Sequence, residues 1–235
     1  MSIQLPKLIL LPGMDGTGEL YKNFANALPR AVETEVLRYP ADRFLSYEQL
    51  ASFVEPATSI PEPFVLVAES FSTPLAIQLA ATNPPNLKGI VICAGFITSP
   101  ARDWLFPAGS FLSTALFHRP LPEFAAKWLL IGRNASRPLL VDLRAAVSSV
   151  KPQVLSARIR AVLACDMRAE LEQVAVPILY IQAGQDRLVG KSCLEEIRRI
   201  KPNTVVTVIS GPHLLFQCEP QRTANRVVEF IQKLV

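Results

Sequence analysis

Hydrophobic residues in this chain gather into short, almost unbroken runs separated by stretches of helical spacing. Lys7 to Leu11, Phe64 to Val67, Gly89 to Ala94 and Val176 to Ala183 are nearly continuous apolar runs. A strand wetted on one face alternates in polarity, whereas one covered on both faces does not, so these runs predict buried strands. Thr34 to Tyr39, closed by Pro40, and Thr204 to Ile209 read as two further strands. Between them lie helices. Glu19 to Leu28 carries Leu20, Phe24, Ala27 and Leu28 on one stripe and stops at Pro29. Ser46 caps a helix reaching Ser59, with Tyr47, Leu50, Phe53 and Val54 on one face and Pro56 as a stop or kink. Pro74 to Ala81, Lys191 to Ile200 and Glu219 to Val235 complete the set, the last with Val227, Val228, Phe230 and Ile231 toward a core. Strands alternating with helices through short connections predict an α/β protein: a mostly parallel sheet of about six strands flanked by helices.

The alternation breaks once. From Gly95 to about Leu171 there is no strand signal. Apolar helical pieces follow instead: Trp104 to Phe106, Phe111 to Phe117, Phe124 to Ile131 and Leu139 to Val150, punctuated by Pro100, Pro107, Pro120, Pro122, Pro138 and Pro152. Because the strand rhythm then resumes, 96–171 reads as a helical cap inserted between the fourth and fifth strands of a single domain spanning 1–235.

The chemistry concentrates at Ala68-Glu69-Ser70-Phe71-Ser72-Thr73, between the strand at 64–67 and the helix at 74–81. A serine in a sharp strand-to-helix turn has the geometry of a nucleophile elbow, and the helix start supplies N–H groups and a positive dipole end. The turn brings two backbones close together, which requires small neighbours. Ala68 and Ser72 fill those places, departing from the G-x-S-x-G pattern, and Ser72 reads as a packing residue. A serine hydroxyl is a poor nucleophile without a base, and the base needs a partner that fixes its tautomer. His213 stands in Ser210-Gly211-Pro212-His213-Leu214, after the last strand, and Asp186 in Gly184-Gln185-Asp186, after the strand before it. Loops at the carboxyl ends of parallel strands share one rim, so Ser70, Asp186 and His213 are expected to meet there. Asp103 and Asp166 are poorer partners, since neither closely follows a strand. His118, beside Arg119-Pro120, reads as a cap-surface residue, and Glu69 as a structural or electrostatic neighbour of Ser70. Pro12-Gly13-Met14-Asp15-Gly16-Thr17-Gly18 is a tight glycine loop after the first strand.

Composition narrows the picture. A net charge of +4 over 235 residues is too mild for a nucleic-acid binder. The excess is local, however: 96–170 holds ten Lys and Arg against five Asp and Glu. Four cysteines with no C-x-x-C pair predict reduced thiols, and two histidines without clustered partners predict no metal site. No apolar run approaches the roughly 20 residues of a membrane span, and Met1 to Leu11 lacks the features of a signal peptide. A cytoplasmic protein is expected.

From Leu8 to Val235 the chain resembles the α/β-hydrolase family, through the elbow around Ser70 and the chain order Ser70, Asp186, His213. It is similar to small carboxylesterases and to the pimeloyl-carrier-protein methyl ester esterase branch. The resemblance implies the α/β-hydrolase fold, beginning at the family's third strand. It places Pro12-Gly13-Met14 where the family often has His-Gly-X, and it makes the backbone N–H groups of Met14 and Phe71 the oxyanion donors. The implied activity is hydrolysis, without a cofactor, of small to medium lipophilic acyl or aryl esters through an acyl-enzyme on Ser70. Trp104, Phe106, Phe111, Phe124 and Trp128 of the cap, with Leu214 beside the base, are the candidate substrate-binding residues. Alternatives within the family are a methyl esterase or thioesterase whose basic cap docks an acidic carrier protein, a ligand receptor with little turnover, and a hydroxynitrile lyase.

Overall fold

The computed structural model describes residues 5–103 and 121–234. Its centre is a six-stranded sheet, parallel throughout, in the order β2-β1-β3-β4-β5-β6. The strands are β1 Lys7–Leu11, β2 Thr34–Val36, β3 Phe64–Glu69, β4 Leu87–Cys93, β5 Ile178–Ala183 and β6 Val205–Ile209. The apolar runs are buried for the reason their lack of alternation suggests: successive side chains enter two different cores. Ile9, Leu11, Leu66, Ile90, Ile92 and Tyr180 face one layer, while Leu8, Leu10, Val65, Val67, Val91 and Ile181 face the other. The first layer is made by α2 Tyr47–Thr58, α3 Thr73–Ala81, α7 Arg168–Gln173 and α8 Lys191–Ile200, through residues such as Leu50, Leu75, Leu171 and Ile197. The second is made by α1 Lys22–Ala27, α9 Leu215–Cys218 and α10 Pro220–Ile231, through Phe24, Phe216, Val227 and Ile231. Each such side chain taken fully out of water contributes about 1.5–3 kcal/mol.

The departures from the sequence pattern have local causes. The expected strand at 34–39 pairs only as far as Val36, because its partner β1 ends there and turns into the glycine loop. Tyr39 instead donates its N–H to the Gly16 carbonyl at 2.8 Å and so follows the loop. Gly18, at φ 74, turns the chain so that a 3-10 turn at Glu19–Tyr21 precedes α1. Helix α2 continues through Pro56, whose missing N–H removes the helical bond to the Ser52 carbonyl without ending the helix. The C-terminal helix divides at Glu219, and Pro220 opens its second part.

Between β4 and β5 the described residues form helices joined by turns and loops, with one antiparallel bridge, Thr98 to Asp166. Pro100–Asp103 forms a 3-10 turn, and α4 Glu123–Ala125 runs into a π-helical stretch at Ala126–Ile131. Helices α5 Arg137–Ser148 and α6 Pro152–Leu163 follow. Helix α6 lies beyond the expected apolar pieces. Pro152 marks its first turn, a position that tolerates a missing N–H, so the residue begins a helix instead of interrupting one. Pro138 does the same for α5. Helix α7, at the end of the expected insertion, belongs to the sheet: its Leu171 is fully buried in the first core layer. No helix among the described residues is long and apolar enough to cross a membrane.

Candidate active site

Strand β3 delivers Ser70 to the rim. At φ 48 this residue holds the left-handed conformation that a sharp elbow needs, and a 3-10 turn at Ser70–Ser72 leads directly into α3. The left-handed region costs a non-glycine residue on the order of 1–3 kcal/mol, which the buried strand and helix on either side withstand. His213 follows β6 and Asp186 follows β5. Their two loops extend the pairing of those strands: Gly184 donates its N–H to Ile209 O at 2.8 Å and Gln185 to Gly211 O at 2.9 Å. His213 Nε2 lies 2.9 Å from Ser70 Oγ, and Nδ1 lies 2.8 Å from Asp186 Oδ2. The Asp186 carboxylate divides its oxygens. Oδ1 accepts the N–H groups of Leu188 and Val189 at 2.8 and 3.0 Å, which holds Oδ2 toward the imidazole. The three expected side chains therefore form one hydrogen-bonded relay.

The imidazole is 3% exposed. Burial alone disfavours its charged form, but the Asp186 carboxylate, as neighbour and hydrogen-bond partner, and the more distant Glu69 outweigh that effect and leave its pKa raised. Glu69 itself is 1% exposed, next to Ser70 in the chain. Burial, with the Asp15 carboxylate acting in the same sense, pushes its carboxyl up to about 7 against the opposing influence of His213 and the Gln217 hydrogen bond. Its Oε2 accepts from Gln217 Nε2 at 3.2 Å, and a Cβ on Gly13 would sit 3.3 Å from the same oxygen. Glu69 thus fills the space where the elbow, the glycine loop and the helix after His213 meet.

The glycine loop has its own logic. Every carbonyl from Leu11 to Gly16 is taken. Tyr21 Oη donates to Leu11 O at 2.9 Å, and Ser72 Oγ donates to Pro12 O while lying 2.7 Å from Tyr39 Oη. Gly16 N–H closes on Gly13 O at 3.0 Å. Arg158 Nη1 donates to Met14 O at 2.7 Å and Asp15 O at 2.8 Å, and Tyr39 N–H takes Gly16 O. Meanwhile the Met14 N–H donates to no described residue. Phe71 occupies the first turn after the elbow, where N–H groups lack an intrahelical acceptor. Met14 and Phe71 both line the cavity that Ser70 and His213 open into.

That cavity, of about 400 Å³, is apolar. Leu143 and Val147 of α5, Leu155, Ile159 and Val162 of α6, and Leu214 beside the base form much of its wall. Asp15, Ser70, Ser148 and His213 are the polar members, and no lysine or arginine appears among the described residues lining it. Of the candidate pocket aromatics, Phe124 is on the wall, although 78% exposed. Trp128 is not on the wall; its ring lies 4.6 Å from the guanidinium carbon of Arg187, because helical spacing turns that face toward the Asp186 loop. Trp104, Phe106, Phe111 and Phe117, with His118, lie outside the described residues.

The basic surplus of 96–170 is also partly internal. Arg158 is 2% exposed, Lys127 pairs with Glu123, Arg168 pairs with Asp166, and Arg144 donates to Leu121 O. Ser72 is fully buried, as a packing residue should be, but its hydroxyl bonds were not foreseen, and Arg158 was not singled out at all. For Arg158 a signal existed: a spacing of three or four from Val154, Leu155 and Val162 sets it within the apolar stripe of α6. All four cysteines are free thiols, and among the described residues no group of three or more His, Cys, Asp or Glu side chains could hold a metal.

Comparison with known proteins agrees with this architecture. A bifunctional biotin biosynthesis protein, BioHC, of Cellvibrio japonicus is 26% identical over 97% of this chain and 48% of its own length. A putative carbamate hydrolase, RutD, of Caulobacter vibrioides is 27% identical over 66% of this chain and 60% of its own. The chain thus spans about half to three-fifths of these curated relatives. Among solved structures, a bromoperoxidase from Bacillus anthracis superposes with a TM-score of 0.79 over 97% of this chain and 92% of that one; at 17% identity the likeness is one of fold. The model of the alpha/beta hydrolase family matches residues 8–226, from the first strand to the last helix, and the chain belongs to that family.

Proposed function

We propose that the protein is a serine ester hydrolase acting on uncharged, lipophilic acyl or aryl esters. The observation that carries this reading is the relay of Ser70, His213 and Asp186 at the floor of an apolar cavity. His213 removes the Ser70 proton as the hydroxyl attacks the ester carbonyl. The N–H groups of Met14 and Phe71 receive the developing oxyanion. His213 then returns the proton to the departing alcohol, and water, activated by the same imidazole, cleaves the acyl-enzyme. None of these steps calls on a cofactor. In this reading 96–171 serves as a cap on a single domain, and the acyl group lies against α5 and α6.

Ser70→Ala tests the proposal. Hydrolysis of a chromogenic short-chain ester should fall by about 10⁴-fold or more with the fold retained. Turnover unchanged in the folded variant would reject it. A series of p-nitrophenyl esters of increasing acyl length then measures the depth of the cavity.

A second reading, in which an acidic carrier protein presents the ester, is favoured by the likeness to the biotin biosynthesis protein over 97% of this chain. It requires the carrier-linked rate to drop steeply with added salt while the free-ester rate does not. With Arg158 buried and two more cations paired, the cap offers such a carrier fewer charges than its composition suggests.

A further inference from the structure

Among the contacts that fasten the described helical segment between β4 and β5 to the rest of the domain, three lie at the relay and the glycine loop. Leu130 O accepts the Leu214 N–H at 2.9 Å beside His213, and Trp128 lies against Arg187 beside Asp186. The third contact is Arg158, and of the three it alone reaches the loop that carries Met14. Its guanidinium has no carboxylate within ion-pair distance among the described residues. It bonds to carbonyls instead: Nη1 with Met14 O and Asp15 O, and Nη2 with Pro40 O at 3.0 Å. The rings of Tyr39 and Phe71 lie 5.8 and 5.7 Å from its central carbon, within cation–π reach. Gly16, at φ 68, makes room for it, since a Cβ there would stand 2.7 Å from Nη1. One buried cation therefore touches both residues assigned as oxyanion donors, Met14 through its carbonyl and Phe71 through its ring. On the same helix, Leu155, Ile159 and Val162 face the acyl cavity.

We infer that Arg158 is a positioning residue for the oxyanion hole, through which the docking of α6 sets the placement of the Met14 and Phe71 N–H groups. The guanidinium holds the Met14 and Asp15 carbonyls through Nη1 and the Pro40 carbonyl through Nη2, two nitrogens fixed in one plane; an ammonium offers a single nitrogen on a flexible stem and cannot reproduce that spacing. Donors aimed at a developing oxyanion act only when they are placed in advance, and a displacement of about 1 Å can cost about 100-fold in rate. The ground-state ester depends much less on these donors, so the loss falls on kcat.

The inference rests on the oxyanion reading of Met14 and Phe71. The test compares Arg158→Met, R158Q and R158K with the parent on p-nitrophenyl acetate. Each variant is also titrated with a trifluoromethyl ketone, which forms a tetrahedral oxyanion adduct with the serine. R158M should lose about 10- to 100-fold in kcat with KM within about threefold, and adduct affinity should fall in parallel. R158K and R158Q should fall between R158M and the parent, following the number of carbonyls each side chain still holds. Wild-type kcat in a folded R158M overturns the inference, as does a kcat loss with adduct affinity unchanged. If R158M does not fold, R158K and R158Q decide the matter, and parental kcat in both overturns it. Turnover surviving in Ser70→Ala would instead remove the serine-hydrolase reading itself, so the two failures are told apart.

Discussion

The glycine loop and the wall of α5 and α6 border the same cavity, yet they are held in opposite ways. The loop is held by directional bonds: six consecutive carbonyls, Leu11 to Gly16, each have a named donor. The wall is held by apolar contact, with Leu143, Leu155 and Val162 packed by shape and burial. Hydrogen bonds lose strength within a few tenths of an ångström, whereas apolar packing tolerates exchange of similar volumes. On the serine-hydrolase proposal, the chemical end of the site is then built for placement and the substrate end for capacity. Changes at the first should alter rate for every ester, and changes at the second should alter which esters are taken.

The strongest way to break this contrast is Asp186→Asn. The amide cannot hold His213 in the tautomer that accepts the Ser70 proton, so kcat should drop about 10⁴-fold on short and long esters alike. A loss confined to long esters would show that the relay also shapes the wall. Next comes Leu143→Phe, which fills part of the cavity. It should cut kcat/KM for an octanoate ester about tenfold while leaving the acetate ester within about twofold. Equal losses on both would erase the distinction.

The smallest expected effect concerns Glu69, which sits outside both regions and charges the space behind them. Glu69→Gln removes a carboxyl that carries its charge only above about pH 7, so only the upper part of the acid limb of kcat/KM should move, slightly, to lower pH, as a pH–rate profile would show. Stability should respond as well. Between the ordinary carboxylate value of 4.5 and about 7, the unfolded chain has released this proton while the folded chain retains it. The parent therefore loses stability as pH rises through that window, by about 3 kcal/mol, and Glu69→Gln does not; melting at pH 5 and pH 8 would measure the difference.

Much of this molecule was legible in its residues, for identifiable reasons. Phe64 to Val67 announced a doubly buried strand because nothing in it alternates. Ser70, Asp186 and His213 could be placed together because each follows a strand of the same parallel sheet, and the carboxyl ends of such strands share one rim. What stayed hidden were roles that depend on distant partners. Ser72 is small, as the elbow requires, but its hydroxyl also fastens Pro12, 60 residues away. Arg158 counted as one of ten positive charges, although its partners lie 118 to 144 residues back along the chain. No local pattern encodes such a separation. Pro152 shows a different limit: the same ring that breaks a helix interior begins a helix when it stands at the first turn. Trp128 shows a third, since helical spacing alone does not say which of two neighbours a stripe will meet.

The hydroxyl at position 70 and the imidazole that would activate it are separated by 143 residues, with β4, β5 and β6 between them. Synthesis proceeds from the N-terminus, so the elbow leaves the ribosome long before its base exists. A chain stopped short of residue 213 would hold the elbow and the glycine loop without the imidazole that the proposed chemistry needs.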